Sequence, residues 1–84
     1  MKSSEAKQII EMLKDGKSLK IGHYSAGYET FYYDAKTSKF MCKREDMGLD
    51  MYNPNISESE FPEKEIFDLL VKNYEYDTIT GLIY

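Results

Sequence analysis

The spacing of apolar residues changes along the chain, and each change marks an element. In "SSEAKQIIEMLKDGK", Ala6, Ile9, Ile10 and Leu13 recur at i, i+3, i+4 and i+7, the stripe of a helix with one buried side. Ser3 or Ser4 is placed to cap its free amides, and Glu5 suits the positive end of the helix dipole. Lys14 in the last turn and Gly16 just beyond it supply the stop. From Ser18 the period falls to two. Leu19, Ile21 and His23 share one face of a strand, with Lys20, Gly22 and Tyr24 on the other. "SAG" at 25–27 has turn chemistry, in which Gly27 supplies a positive φ. "YETFYYD" then sets Phe31 and Tyr33 against Tyr28, Thr30 and Tyr32. After the turn "DAKTSK", Phe40, Cys42 and Arg44 oppose Lys39, Met41 and Lys43. The pattern predicts three antiparallel strands in a meander.

The stretch "EDMGLDMYNPNISESEF" is the least regular and reads as loop, given Gly48, Asn53, Pro54 and its serines. "FPEKEIFDLLVKNY" reads as a second helix, with Pro62 at its first position and Glu63 and Glu65 in its first turn. Ile66, Phe67, Leu69, Leu70, Val71 and Tyr74 form a wide apolar arc, so this helix is expected to be well buried. "DTITGLIY" can form a short fourth strand at the C-terminus. The expected fold is therefore α+β, one domain over 1–84: helix, three-stranded antiparallel meander, helix and C-terminal strand.

Composition narrows the class. Of 84 residues, 42% are apolar and twelve are aromatic, enough to fold but with a thin margin at this size. No apolar run approaches the roughly 18 residues that span a bilayer. "MKSSEAKQII" lacks the apolar core of a signal peptide, and the single cysteine, Cys42, leaves no internal disulfide. These features lead to the expectation of a cytoplasmic protein with no membrane partner.

Charge is unevenly spread. Residues 1–44 carry nine Lys/Arg against five Asp/Glu, a balance of +4, whereas residues 45–84 carry two against ten, a balance of −8. An acidic surface over residues 45–68 argues against phosphate as the main partner, which needs clustered cations over its footprint.

The best candidate for chemistry is "IGHYSAGYETFYYD", with the only histidine, two of the five glycines and four of the eight tyrosines. Gly22 and Gly27 have the spacing of P-loop glycines, but Tyr28 and Glu29 stand where Lys and Ser/Thr must follow, and Glu29 repels phosphate. His23 and Ser25 have no glycine-flanked serine elbow around them, and a lone strand histidine is ordinarily a packed residue. One His and one Cys nineteen residues apart do not form a zinc pattern, and no calcium-loop spacing occurs. Glu63 and Asp68 lie on a helix with nothing to separate their pKa values. The sequence thus points away from catalysis, metals and cofactors.

The tyrosines offer a binding surface instead. Tyr28 and Tyr32 share one strand face, and aromatic sheet faces stack single-stranded RNA bases in several modules. The Lys/Arg-Gly-aromatic run of an RRM is missing, and the acidic half penalises nucleic acid. Tyrosine is equally suited to protein partners, giving area and a hydrogen bond at low entropy cost. Alternatively, the second sheet face is covered by the 45–60 loop, through Met47, Leu49, Met51 and Tyr52.

A small α+β chain that is acidic overall, rich in lysine and tyrosine and without catalytic residues resembles the small phage-encoded inhibitors of host defence, anti-CRISPR proteins among them. The resemblance lies in size, composition and element order over the whole chain, and it assigns no residue. It implies a protein that occupies a nucleic-acid-binding surface or a regulatory site on a larger host enzyme. The sequence reading is therefore a non-enzymatic inhibitor that binds a larger basic protein, with no direct nucleic acid, through Glu58, Glu60, Glu63, Glu65, Tyr28, Tyr32 and Tyr52. The alternative is a small-ligand or nucleotide-binding module using the 22–29 loop and the tyrosine face.

Overall fold

In a computed structural model of the chain, residues 1–23, 27–46 and 55–84 are described. Helix α1 (Ser3–Lys14) leads into four strands, β1 (Leu19–His23), β2 (Gly27–Asp34), β3 (Lys39–Asp46) and β4 (Asn55–Glu60). Helices α2 (Glu63–Asn73) and α3 (Tyr76–Thr80) follow. The strands form one antiparallel sheet in the order β1-β2-β3-β4. The α+β class and the meander expected from the sequence are present.

The helix ends show the local chemistry at work. Neither serine caps α1. Lys2 holds the cap position, and its backbone N–H donates to the Glu5 carboxylate at 2.9 Å, half of a capping box. At the other end Gly16 takes φ +101°, with Gly16 N–H bonded to Leu13 C=O and Lys17 N–H to Met12 C=O. That is a Schellman stop, which requires the left-handed conformation glycine adopts at no cost. Pro62 stands one residue ahead of α2, at its cap.

Alternation puts Leu19, Ile21, Phe31, Phe40 and Cys42 on the sheet face that meets the helices. With Ala6, Ile9, Ile10 and Leu13 of α1, Ile66 and Leu70 of α2 and Ile79 of α3, they form one continuous buried cluster. Phe31 meets Phe61 edge-on at 5.1 Å, and Tyr33 packs on Phe40 at 4.9 Å. The arc of α2 is less buried than its sequence suggests. Only Ile66 and Leu70 are fully covered, while Phe67, Leu69 and Val71 pack against the cluster's margin.

Two segments differ from expectation. The fourth strand is 55–60, inside the stretch read as loop, and not the C-terminus. Every residue of β4 is exposed, so no buried alternation marks it, and its pairing with β3 defines it as a strand. "DTITGLIY" instead forms α3 and a short tail whose Ile83 bridges Leu19 of β1 in antiparallel fashion.

Candidate functional site

The face of the sheet turned away from the helices carries Lys20 and Gly22 from β1, Tyr28, Thr30 and Tyr32 from β2, Met41, Lys43 and Glu45 from β3, and Ile56, Glu58 and Glu60 from β4. The register sets them in rows: Gly22–Tyr28–Glu45–Ile56, Lys20–Thr30–Lys43–Glu58, and Tyr32–Met41–Glu60. No helix among the described residues covers this face. Tyr28 is 42% exposed and Ile56 58%, and the register sets both in one row of this face.

Local packing holds both tyrosines in place. The Tyr28 ring lies over Gly22, where a Cβ would sit 3.4 Å from Tyr28 Cε1. The Lys20 ammonium stands 4.6 Å from the centre of the same ring, a cation–π contact. Tyr32 donates its hydroxyl to Glu58 Oε1 at 3.0 Å. Loss of hydration, and then the Glu58 carboxylate, raise the Tyr32 pKa, so the phenol stays protonated and keeps donating. Glu60 pairs loosely with Lys39 at 3.8 Å, both half-exposed, a contact that contributes little.

The acidic stretch is divided between two layers. Glu58 and Glu60 join Tyr28 and Tyr32 on the open face. Glu63 and Glu65 lie in the first turn of α2, in the helical layer. There Glu63 holds Lys14 of α1 at 3.1 Å, and its hydrogen bond and charge raise the Lys14 pKa. Tyr52 lies outside the described residues, as do Tyr24 and Ser25 and the Met47, Leu49 and Met51 of the covering-loop alternative.

The glycines of the 22–29 stretch are strand residues. Gly22 faces Tyr28 and His23 faces Gly27 across the β1–β2 ladder. Gly27 has φ +120°, as expected, and a Cβ there would collide with the Glu45 carbonyl oxygen of β3.

One cluster was missed in the sequence. On the helix-side face, Cys42 Sγ lies 3.5 Å from Glu29 Oε2, and Arg44 reaches the same oxygen at 3.3 Å. Burial, followed by the charge of Glu29, pushes the Cys42 thiol up to about 11, so it is not a thiolate at neutral pH. The signal was the alternation itself, which sets Glu29 in phase with Phe31, and Cys42 in phase with Arg44 on the next strand. Among the described residues, no three His, Cys, Asp or Glu side chains are grouped to hold a metal ion, and no helix is long and apolar enough to cross a membrane.

No protein-family model matches this chain, and neither a curated protein nor a solved structure resembles it closely enough to count as a match.

Proposed function

We propose that this protein is a non-enzymatic interaction module, an inhibitor of the kind phages direct against host defence, acting on a larger basic protein that handles nucleic acid. It binds through the open face of its sheet. The observation that carries the reading is the joining of Tyr28, Tyr32, Glu58 and Glu60 on a face that no described helix covers. Aromatic area with low entropy cost supplies affinity, and carboxylates beside it select a cationic partner and speed encounter. The pairing of Tyr32 with Glu58 fixes both side chains before a partner arrives, which reduces the ordering cost of binding.

Affinity capture from a lysate of the encoding organism's natural host, with mass spectrometry, identifies the partner. A salt titration of the purified pair then tests the mechanism. Electrostatic capture weakens steeply as the screening length shrinks from ~10 Å at 0.1 M salt to ~3 Å at 1 M. Affinity that is flat across that range contradicts the reading.

A further inference from the structure

The two edges of the sheet are finished differently. Phe61 N–H donates to Phe40 C=O at 2.9 Å, which makes Phe40 and Phe61 a hydrogen-bonded pair of the β3–β4 ladder. Such pairs alternate along an antiparallel ladder. The backbone groups of Ser57 and Ser59 therefore face β3, and those of Ile56, Glu58 and Glu60 face outward. The same alternation carried across the sheet turns Ser18 and Lys20 outward on β1, and there the chain closes its own edge. Ser18 N–H meets Tyr84 C=O at 3.0 Å, Tyr84 N–H meets Ser18 C=O at 2.9 Å, and Lys20 N–H meets Leu82 C=O at 3.1 Å. The outer edge of β4 pairs with no segment among the described residues, and all six of its residues are exposed.

We infer that the β4 edge is a strand-addition site for an extended segment of the partner that carries basic side chains at alternate positions. This deepens the function proposed above and rests on it. Ile56, Glu58 and Glu60 offer outward N–H and C=O groups, and their side chains project onto the open face. An antiparallel guest strand sets one residue directly opposite each of them. Opposite charges across a strand pair stabilise it, and like charges destabilise it. The guest that fits therefore has Lys or Arg opposite Glu60, Lys or Arg two residues on opposite Glu58, and an apolar residue two further on opposite Ile56. The residues between fall beside Ser59 and Ser57 and need only be small or polar.

A second copy of the chain offers neither glutamate a cation, because β4 holds no Lys or Arg. Two β4 strands paired about Glu58 oppose Glu58 to itself. Shifted by two residues, they oppose Glu58 to Glu60 or to Ile56.

Glu58→Pro and Glu58→Gln separate the edge from the charge. Both remove the carboxylate, but only proline also removes the outward N–H, at a position where an edge strand accepts it. The probe is a synthetic peptide with lysine, lysine and valine at alternate positions among threonines, measured by calorimetry at low and at high salt. The alternating peptide binds the parent protein, weakens with Glu58→Gln, and weakens a further ~3- to 10-fold with Glu58→Pro, one backbone hydrogen bond's worth. N-methylation of the second lysine, whose amide faces β4, lowers affinity, and N-methylation of the next threonine does not. This peptide arm uses the parent protein and decides the matter should the proline variant fail to fold. Equal affinities for the two variants, or for the two methylated peptides, overturn strand addition while leaving the open face as a charge-capturing surface. Absence of salt-dependent binding overturns both.

Discussion

The two faces of the sheet are made by the same alternation, yet they meet opposite surroundings. On the helix side, Leu19, Ile21, Phe31, Phe40 and Cys42 are each 6% exposed or less, and α1, α2 and α3 supply the residues that cover them. On the other side stand tyrosines, lysines, glutamates and an exposed isoleucine, with no described helix against them. A face whose apolar residues are matched by the chain's own helices is accounted for by folding. A face that keeps Tyr28 and Ile56 at the surface, with Tyr28 against Gly22 and Lys20 and with Tyr32 held by Glu58, is covered by no described helix, and the proposed binding rests on that difference.

If this division holds, substitutions on the helix side cost stability, and those on the open side cost binding. The largest effect is expected for Leu70→Ala. Leu70 is fully buried in the core, so its truncation should lower unfolding free energy by ~2–5 kcal/mol in urea denaturation. A loss below ~0.5 kcal/mol would place α2 outside the core. Gly27→Ala comes next, because it forces a side chain into the left-handed region and against the Glu45 carbonyl. It should cost about 1–3 kcal/mol, read by the same denaturation curve.

Cys42 gives a pH-dependent effect on the buried side. Its thiol is raised from 9.0 to about 11 in the folded protein. The unfolded chain therefore loses this proton first, and the thiol's contribution to stability is present below pH 9 and lost as pH rises toward 11. Chemical denaturation across that window should show a shallower decline for Cys42→Ala than for the parent. Identical slopes would mean the thiol is not shielded.

On the open side, Tyr28→Ala removes an exposed ring and its cation–π contact. It should cost ~0.5–1 kcal/mol in stability while weakening partner binding far more. Smallest in stability is Glu60→Lys, expected within about ±0.5 kcal/mol by thermal melting because the position is exposed and its pairing with Lys39 is loose. Its effect belongs to association kinetics.

How much of this was legible in the sequence follows the same division. The period of 3.6 in Ala6, Ile9, Ile10 and Leu13 and the period of two in Leu19, Ile21 and Phe31 are imprints of burial, and they placed α1 and the first three strands. β4 left no such imprint: "NISESE" buries nothing on either face, so only its ladder with β3 reveals it. The C-terminus failed for a related reason. Ile79 and Ile83 suggest a strand, but Ile79 is buried within a short helix whose Tyr76 hydroxyl donates to Gln8 of α1 at 3.0 Å. The glutamates were legible as a cluster in one dimension only. Between Glu60 and Glu63 the chain turns from sheet to helix at Phe61 and Pro62, and spacing along the sequence cannot show that this turn separates them into two layers.

That separation offers the most direct test. Glu58→Lys and Glu65→Lys each change the net charge by the same amount, one on the open face and the other on the exposed first turn of α2. Association rates with the captured partner should be measured for both by surface plasmon resonance at low salt. Association should be markedly slower for Glu58→Lys and close to the parent's rate for Glu65→Lys, with both variants folded. Equal slowing in the two variants, or slowing in Glu65→Lys alone, would contradict the assignment of binding to the open face.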